Sequence, residues 1–225
     1  MKTKATVSTL LTGVFYLFAL AVIFFTAVMV TKILPYLNFE RAYAFLGTKP
    51  DRILDKQHFI IAFYIHILSS GFALGTGIFQ FSKILLKKQP NLHRYLGKIY
   101  VITILFFAAP TGLVISFYAN GGMSSRVGFV LQSLVWWMLT YWAFSAIKNR
   151  QIAQHCDMMI RSFALTLAAM SLRTESYVLF TFFETKPLET YETVTWLSWV
   201  GNLLLAELMI HYGLGKRVLG FLNDH

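Results

Sequence analysis

The residues of this chain with chemistry to offer are six histidines and a few charges set inside apolar sequence. A charged side chain at bilayer depth costs about 2.5–3.5 kcal/mol even on the lenient insertion scale. Arg173 and Glu175 in one apolar stretch, and Glu207 and His211 in another, therefore need either a partner or a task. Neutral imidazole is the common protein ligand of haem iron and of transition metals. A guanidinium can hold a haem propionate or a quinone oxygen through charge-assisted hydrogen bonds. The candidate cofactor-binding residues are His66, His93, His155, His211, Arg161 and Arg173, and His93, His155 and His211 are the candidate metal ligands.

The elements that position them are apolar helices. Hydrophobic residues make up 56% of the 225-residue chain and charged residues 13%. A soluble domain carries about 25% charged residues, so this composition belongs to a polytopic membrane protein. Crossing a hydrocarbon core of about 30 Å takes roughly 20 apolar residues as helix. Six stretches satisfy this: Leu10–Ile33, His58–Phe81, Ile99–Ala119, Val127–Ile147, Met158–Phe183 and Thr193–Leu214. The expected fold is all-α, a single integral membrane domain over residues 1–225 with six spans. The first stretch exceeds a signal-peptide core and lacks a small-x-small cleavage site, so it is expected to remain as a helix. The connection Leu34–Gln57 contains Pro35, Gly47 and Pro50 and is expected to be an ordered loop or a short surface helix.

Charge sets the orientation. The segment Ser82–Lys98 carries Lys83, Lys87, Lys88, Arg94 and Lys98 and no acid. Lys148, Arg150, Arg161, Lys216 and Arg217 fall on the same side, with Lys2 and Lys4. The opposite connections mix Glu40, Asp51 and Asp55 with Arg41, Arg52 and Lys56. The positive-inside rule then places both termini in the cytoplasm and the protein in the inner membrane. The formal charge of +10 is spread over these short connections, not gathered in a basic run with stacking aromatics, which argues against nucleic acid. The single cysteine, Cys156, rules out an internal disulfide framework.

Depth groups the polar residues in two sets. With a rise of about 1.5 Å per residue, His66 lies about 12 Å below the outer end of its span, near the level of Arg173 and Glu175. These three form an expected outer cluster, in which Arg173 hydrogen-bonds a second-span group such as His66. His155 precedes Arg173 by five helical turns, so the two are expected to share one face. His93, His155 and His211 sit at the cytoplasmic ends of three spans, with Glu207 one turn from His211. The plainer reading of both sets is structural hydrogen bonding that locks the bundle. Pro110, mid-way along the third span, should interrupt that helix and free a carbonyl.

The motifs H-R-Y-L-G-K-I-Y (His93–Tyr100) and H-C-D-M-M-I-R-S-F-A-L-T-L-A-A-M-S-L-R (His155–Arg173), with His66, resemble a family of bacterial multi-spanning membrane proteins catalogued as domain of unknown function 2306. The resemblance covers His58 to Glu175. It implies a membrane bundle whose signature positions are His66, His93, Arg94, Gly97, His155, Arg161 and Arg173, and it implies no activity. The His-x-x-x-Gly pair His93 and Gly97 is also similar to the haem motifs of b561-type membrane proteins. Those proteins place histidine pairs on both sides of the membrane, whereas this chain offers only His66 and His58 on the outer side.

Three functions compete. The leading expectation is a membrane redox or cofactor-binding protein with haem b or a quinone between the helices. The alternatives are a small-solute or proton transporter, against which stands the lack of internal symmetry or paired broken helices, and a non-catalytic scaffold or assembly factor. No nucleophile–base pair, P-loop or H-E-x-x-H motif suggests a hydrolase or ATPase. The expected partners are membrane lipid and a quinone or other small molecule.

Overall fold

The computed structural model describes residues 20–29, 31–41 and 43–215, with Leu17 and Gly220. Lys2, Lys4, Lys216, Arg217 and the start of the expected first span lie outside the described residues. Among the described residues the protein is helical without strands. Five helices are long and apolar enough to cross a membrane: Leu20–Asn38, Gln57–Phe81, Pro90–Ser116, Gly122–Lys148 and Pro187–His211.

Helix α1 (Leu20–Asn38) ends in a 3-10 turn opened by Pro35. Two short helices, α2 (Ala44–Gly47) and α3 (Asp51–Leu54), fill the expected Leu34–Gln57 connection. Their Leu46 and Leu54 bury against Phe59 and Phe63 of α4 (Gln57–Ile78). A short α5 (Lys83–Lys88) follows, its first turn closed by the Ser82 hydroxyl accepting from the Leu85 N–H. α6 (Pro90–Thr103) opens on a proline, which suits a first turn that has no N–H partner to lose. That is why this helix starts nine residues before the apolar stretch that began at Ile99.

The third span is continuous from Pro90 to Ser116 but changes register. Between α6 and α7 (Ala109–Ser116) lies a π stretch, Ile104–Ala108, where the Ala109 N–H reaches back to the Ile104 carbonyl. A proline ring meets the carbonyl four residues earlier, here that of Phe106, so the α register cannot pass Pro110 unchanged. In the wider register the next donor would be Pro110, which has no N–H. The Leu105 carbonyl is taken instead by the Trp137 indole N–H at 3.0 Å. The freed carbonyl expected at Pro110 is therefore present, and capped from the next span.

α8 (Gly122–Lys148) leaves the tight turn through Gly121, whose φ of +80° falls in the left-handed region that glycine tolerates. The expected fifth span, Met158–Phe183, comes as two helices, α9 (Ile152–Thr166) and α10 (Ala168–Phe183), separated by Leu167. Leu167 keeps right-handed angles (φ −73°, ψ −13°) and its N–H still bonds the Phe163 carbonyl, so the chain runs on through the break. α11 (Pro187–His211) again begins on a proline.

Cross-helix contacts fix the packing. His58 meets Tyr118, His66 meets Ala108, and a Cβ on Gly77 would touch Tyr100, so α4 runs antiparallel to the third span. Ala143 with His155, Thr140 with Ser162, and Trp136 with Thr166 set α8 antiparallel to α9. Arg161 with Glu207 and Ala164 with Asn202 do the same for α9 and α11. The end carrying residues 82–98 is called the basic end below, and the opposite end the mixed-sign end.

Candidate functional site

The best-satisfied polar group of the bundle was not singled out by its sequence. Tyr100 is fully buried. Its hydroxyl lies 2.9 Å from Ser162 Oγ and 2.8 Å from Thr166 Oγ1. Ser162 Oγ is also 2.7 Å from Thr140 Oγ1, and the Trp136 indole donates to Thr166 Oγ1 at 3.2 Å. Gly77 makes room for this group: a Cβ there would stand 2.7 Å from the Phe163 ring and 2.8 Å from the Tyr100 ring. Hydroxyl residues are common in membrane helices and carry no spacing signature, so only the third dimension reveals the network. Every member has a partner, which is what a structural lock in hydrocarbon requires.

Two of the histidines bond carbonyls through Nδ1. His66 Nδ1 is 2.8 Å from the Ala108 carbonyl, at the end of the π stretch. His155 Nδ1 is 2.8 Å from the Ala143 carbonyl. His93 Nδ1 is buried without a hydrogen-bond partner. His211 is exposed, with its ring edge-on to Tyr212. Arg161 pairs with Glu207 through both carboxylate oxygens, Nη2 to Oε2 at 2.8 Å, so neither is left to support a metal ligand. Among the described residues no three His, Cys, Asp or Glu side chains come close enough to hold a metal ion. The geometry thus gives the expected cluster of His93, His155 and His211 no support. Gly97 serves packing: a Cβ there would lie 3.0 Å from Gln80 Oε1.

Haem would make its own demand on these residues. A ligating histidine holds its ring by donating the other N–H to a carbonyl or carboxylate. His155 has such a bond and His93 does not. Neither the cavity beside Arg173 nor the apolar cavity beside Leu167 is lined by a histidine. The residues present do not fit a haem held by two imidazoles.

Arg173 differs from all of these. The expected bond to His66 is not formed, and no hydrogen bond joins His66, Arg173 and Glu175. His66 is turned to the third span, while α1 lies against the Arg173 side of α10. His155 and Arg173, at opposite ends of the α9–α10 rod, meet different neighbours, α8 and α1, and no polar contact links them. Arg173 donates from Nη1 to the Ala169 carbonyl of its own helix at 2.7 Å. Among the described residues no carboxylate pairs with it. Its accessible surface lines a cavity of about 410 Å³ between α1 and α10, with Lys32, Tyr36, Tyr43 and Tyr177 around it. Phe25, Val28, Met29 and Met170 supply apolar walls. Glu175, two residues on, points elsewhere and has one buried carboxylate oxygen without a partner.

The second cavity, about 150 Å³, is apolar and lies further along the same side, lined by Val22, Ile78, Phe163, Leu167, Ala206 and Met209 among others. Its one amide, Asn202, donates to the Ala164 carbonyl at 3.0 Å and accepts from the Ser171 hydroxyl at 2.9 Å.

A helical bundle with, among the described residues, five helices long and apolar enough to cross a membrane, and a cationic cavity between α1 and α10, defines a polytopic membrane protein with a candidate ligand site. Residues 63–210 match the family described as predicted membrane protein (DUF2306), and the chain belongs to that family. All seven signature positions expected from the resemblance fall within the matched residues. No curated protein and no solved structure matches the chain.

Proposed function

We propose that the protein is a membrane-embedded cofactor-binding protein of the redox class, and that its ligand is a quinone-type molecule held by its head-group oxygens at Arg173. One observation carries this reading. Arg173 spends one N–H on its own helix and, with no carboxylate partner among the described residues, lines a 410 Å³ cavity. An unpaired charge at this depth is costly and has a functional partner by default. Small-molecule sites are concave and mostly apolar, with a few convergent polar groups, and this cavity falls in their usual range of about 300–1,000 Å³. The Lys32 ammonium and the hydroxyls of Tyr43 and Tyr177 are further donors within the lining.

The test is a titration of the protein in phosphatidylcholine nanodiscs with a short-tailed benzoquinone, read by quenching of its aromatic fluorescence. Saturable binding is expected. Arg173→Gln should weaken it by about 10–100-fold, the equivalent of a charged hydrogen bond worth about 1.5–3 kcal/mol. Absence of saturable binding, or equal affinity in the variant, overturns the reading.

The basic end is proposed to face the cytoplasm of the inner membrane, on the strength of the acid-free segment between Ser82 and Lys98. In a Cys156→Ser background, a cysteine at Met123 should react with an impermeant thiol reagent in intact cells and one at Asn91 should not. The reverse pattern would invert the topology.

A further inference from the structure

The two cavities lie on one seam. Val22, Phe25, Met29, Lys32 and Tyr36 follow one another along α1 at spacings of three and four, a single helical stripe. Opposite them run Phe163, Leu167, Met170, Arg173 and Tyr177, spaced by three and four along α9 and α10. Val22 meets the apolar cavity together with Phe163 and Leu167. Lys32 and Tyr36 meet the cationic cavity together with Arg173 and Tyr177. The two stripes are therefore parallel and in register. The polar donors gather at one end, and the seam ends at the other in a pocket walled by apolar side chains, its Asn202 amide bonded to Ala164 and Ser171. A pocket of that kind stays dry and takes apolar groups.

We infer that the ligand at Arg173 carries a long apolar tail, which lies along the seam between α1 and the α9–α10 rod and ends in the apolar cavity beside Leu167 and Met209. This rests on the reading of Arg173 as a head-group site. From Arg173 back to Phe163 is ten residues, about 15 Å at helical rise, long enough for several isoprene units or a long acyl chain. The chemistry shared by the two sources, a prenylated quinone and a single-chain anionic lipid, is one oxygen-bearing head and one tail. Tail burial here exchanges lipid contacts for protein contacts, so hydrophobic transfer adds little affinity within a bilayer. Position, not affinity, is the property to measure.

Two photoreactive probes with a diazirine at the far end of the tail, one a long-tailed benzoquinone and one a palmitate analogue, are irradiated with the protein in phosphatidylcholine nanodiscs. The adducts are mapped by mass spectrometry. Saturable adducts confined to residues 160–167 and 205–214 are expected. Ala164→Phe, which fills the apolar cavity, should abolish them while short-tailed quinone binding at Arg173 persists. Met209→Trp, at a more exposed wall, makes the same test if the first variant fails to fold. Adducts scattered over lipid-facing residues such as Leu204 and Phe180, with head-group binding intact, overturn the tail placement alone. Loss of saturable labelling by both probes, with no short-tailed binding either, overturns the Arg173 site itself. Labelling of the seam by palmitate and not by the quinone keeps the tail placement and replaces the quinone with an anionic lipid.

Discussion

Two seams of this bundle are built from the same kinds of residue and end in opposite states. Between α6, α8 and α9, a tyrosine, a tryptophan and three hydroxyl side chains close on one another, each bonded within the group. Between α1 and α10, an arginine, a lysine and three tyrosines surround open space, and the arginine keeps most of its donors. A polar group in a membrane is therefore not informative by its presence. What it bonds to decides whether it holds the fold together or waits for a ligand.

The largest effect should come from jamming the closed seam. Gly77→Val places carbon where the Phe163 and Tyr100 rings stand at 2.7–2.8 Å from the missing Cβ. Overpacking of this kind costs about 1–3 kcal/mol and sometimes more. The expected result is loss of monodisperse folded protein in detergent, and a well-folded variant would mean the seam is looser than described. Tyr100→Phe is the next step down. It removes one hydroxyl and leaves Ser162 and Thr166 each short of a partner, for about 1–3 kcal/mol. A clear drop in Tm is expected, and an unchanged Tm would show the network to be dispensable.

Lys49 gives a smaller effect, read as a pH dependence. It is buried at the mixed-sign end, where its ammonium donates to the Tyr118 carbonyl and, at 2.7 Å, to Asn120 Oδ1. Burial, with a smaller contribution from Arg126, lowers its pKa from 10.5 to about 8. Between those values the unfolded chain holds a proton that the folded protein has released, so stability rises with pH in that window. Below about pH 8 both states are charged and the burial cost is fully felt. A rise in Tm between about pH 8 and pH 10 is expected in the native protein and should be flattened in Lys49→Met. The same slope in both would show that other groups cause it. The smallest effect is the sharpest contrast with Tyr100. Arg173→Gln should change stability by no more than the roughly 0.5 kcal/mol typical of sites outside such networks, read as a nearly unchanged Tm, because its one hydrogen bond among the described residues is local. A large fall would make Arg173 structural.

Much of the fold was legible in the chain. Apolar length located the spans, and Pro110 located the one register change among them. Span ends were read too short where helices begin on Pro90 and Pro187, because hydropathy sees only the membrane-buried part and not the proline-started turns before it. The division at Leu167 left no trace, since leucine is a good helix former and neither glycine nor proline is nearby. The site was half legible. The cost of burying a charge drew attention to Arg173, but sequence depth alone paired it with His66, and depth says nothing about which neighbour a helix face meets. The histidines stood out for their rarity, yet His66 and His155 use their Nδ1 atoms to bind carbonyls.

The proline in the third span bears on how the protein enters the membrane. A lone third span would carry the Leu105 carbonyl into hydrocarbon with no donor, a penalty of several kcal/mol. The donor, Trp137, belongs to the fourth span and arrives only when that span has been synthesised. The third span is thus fully satisfied only with the fourth beside it, the indole acting as the clasp of that hairpin.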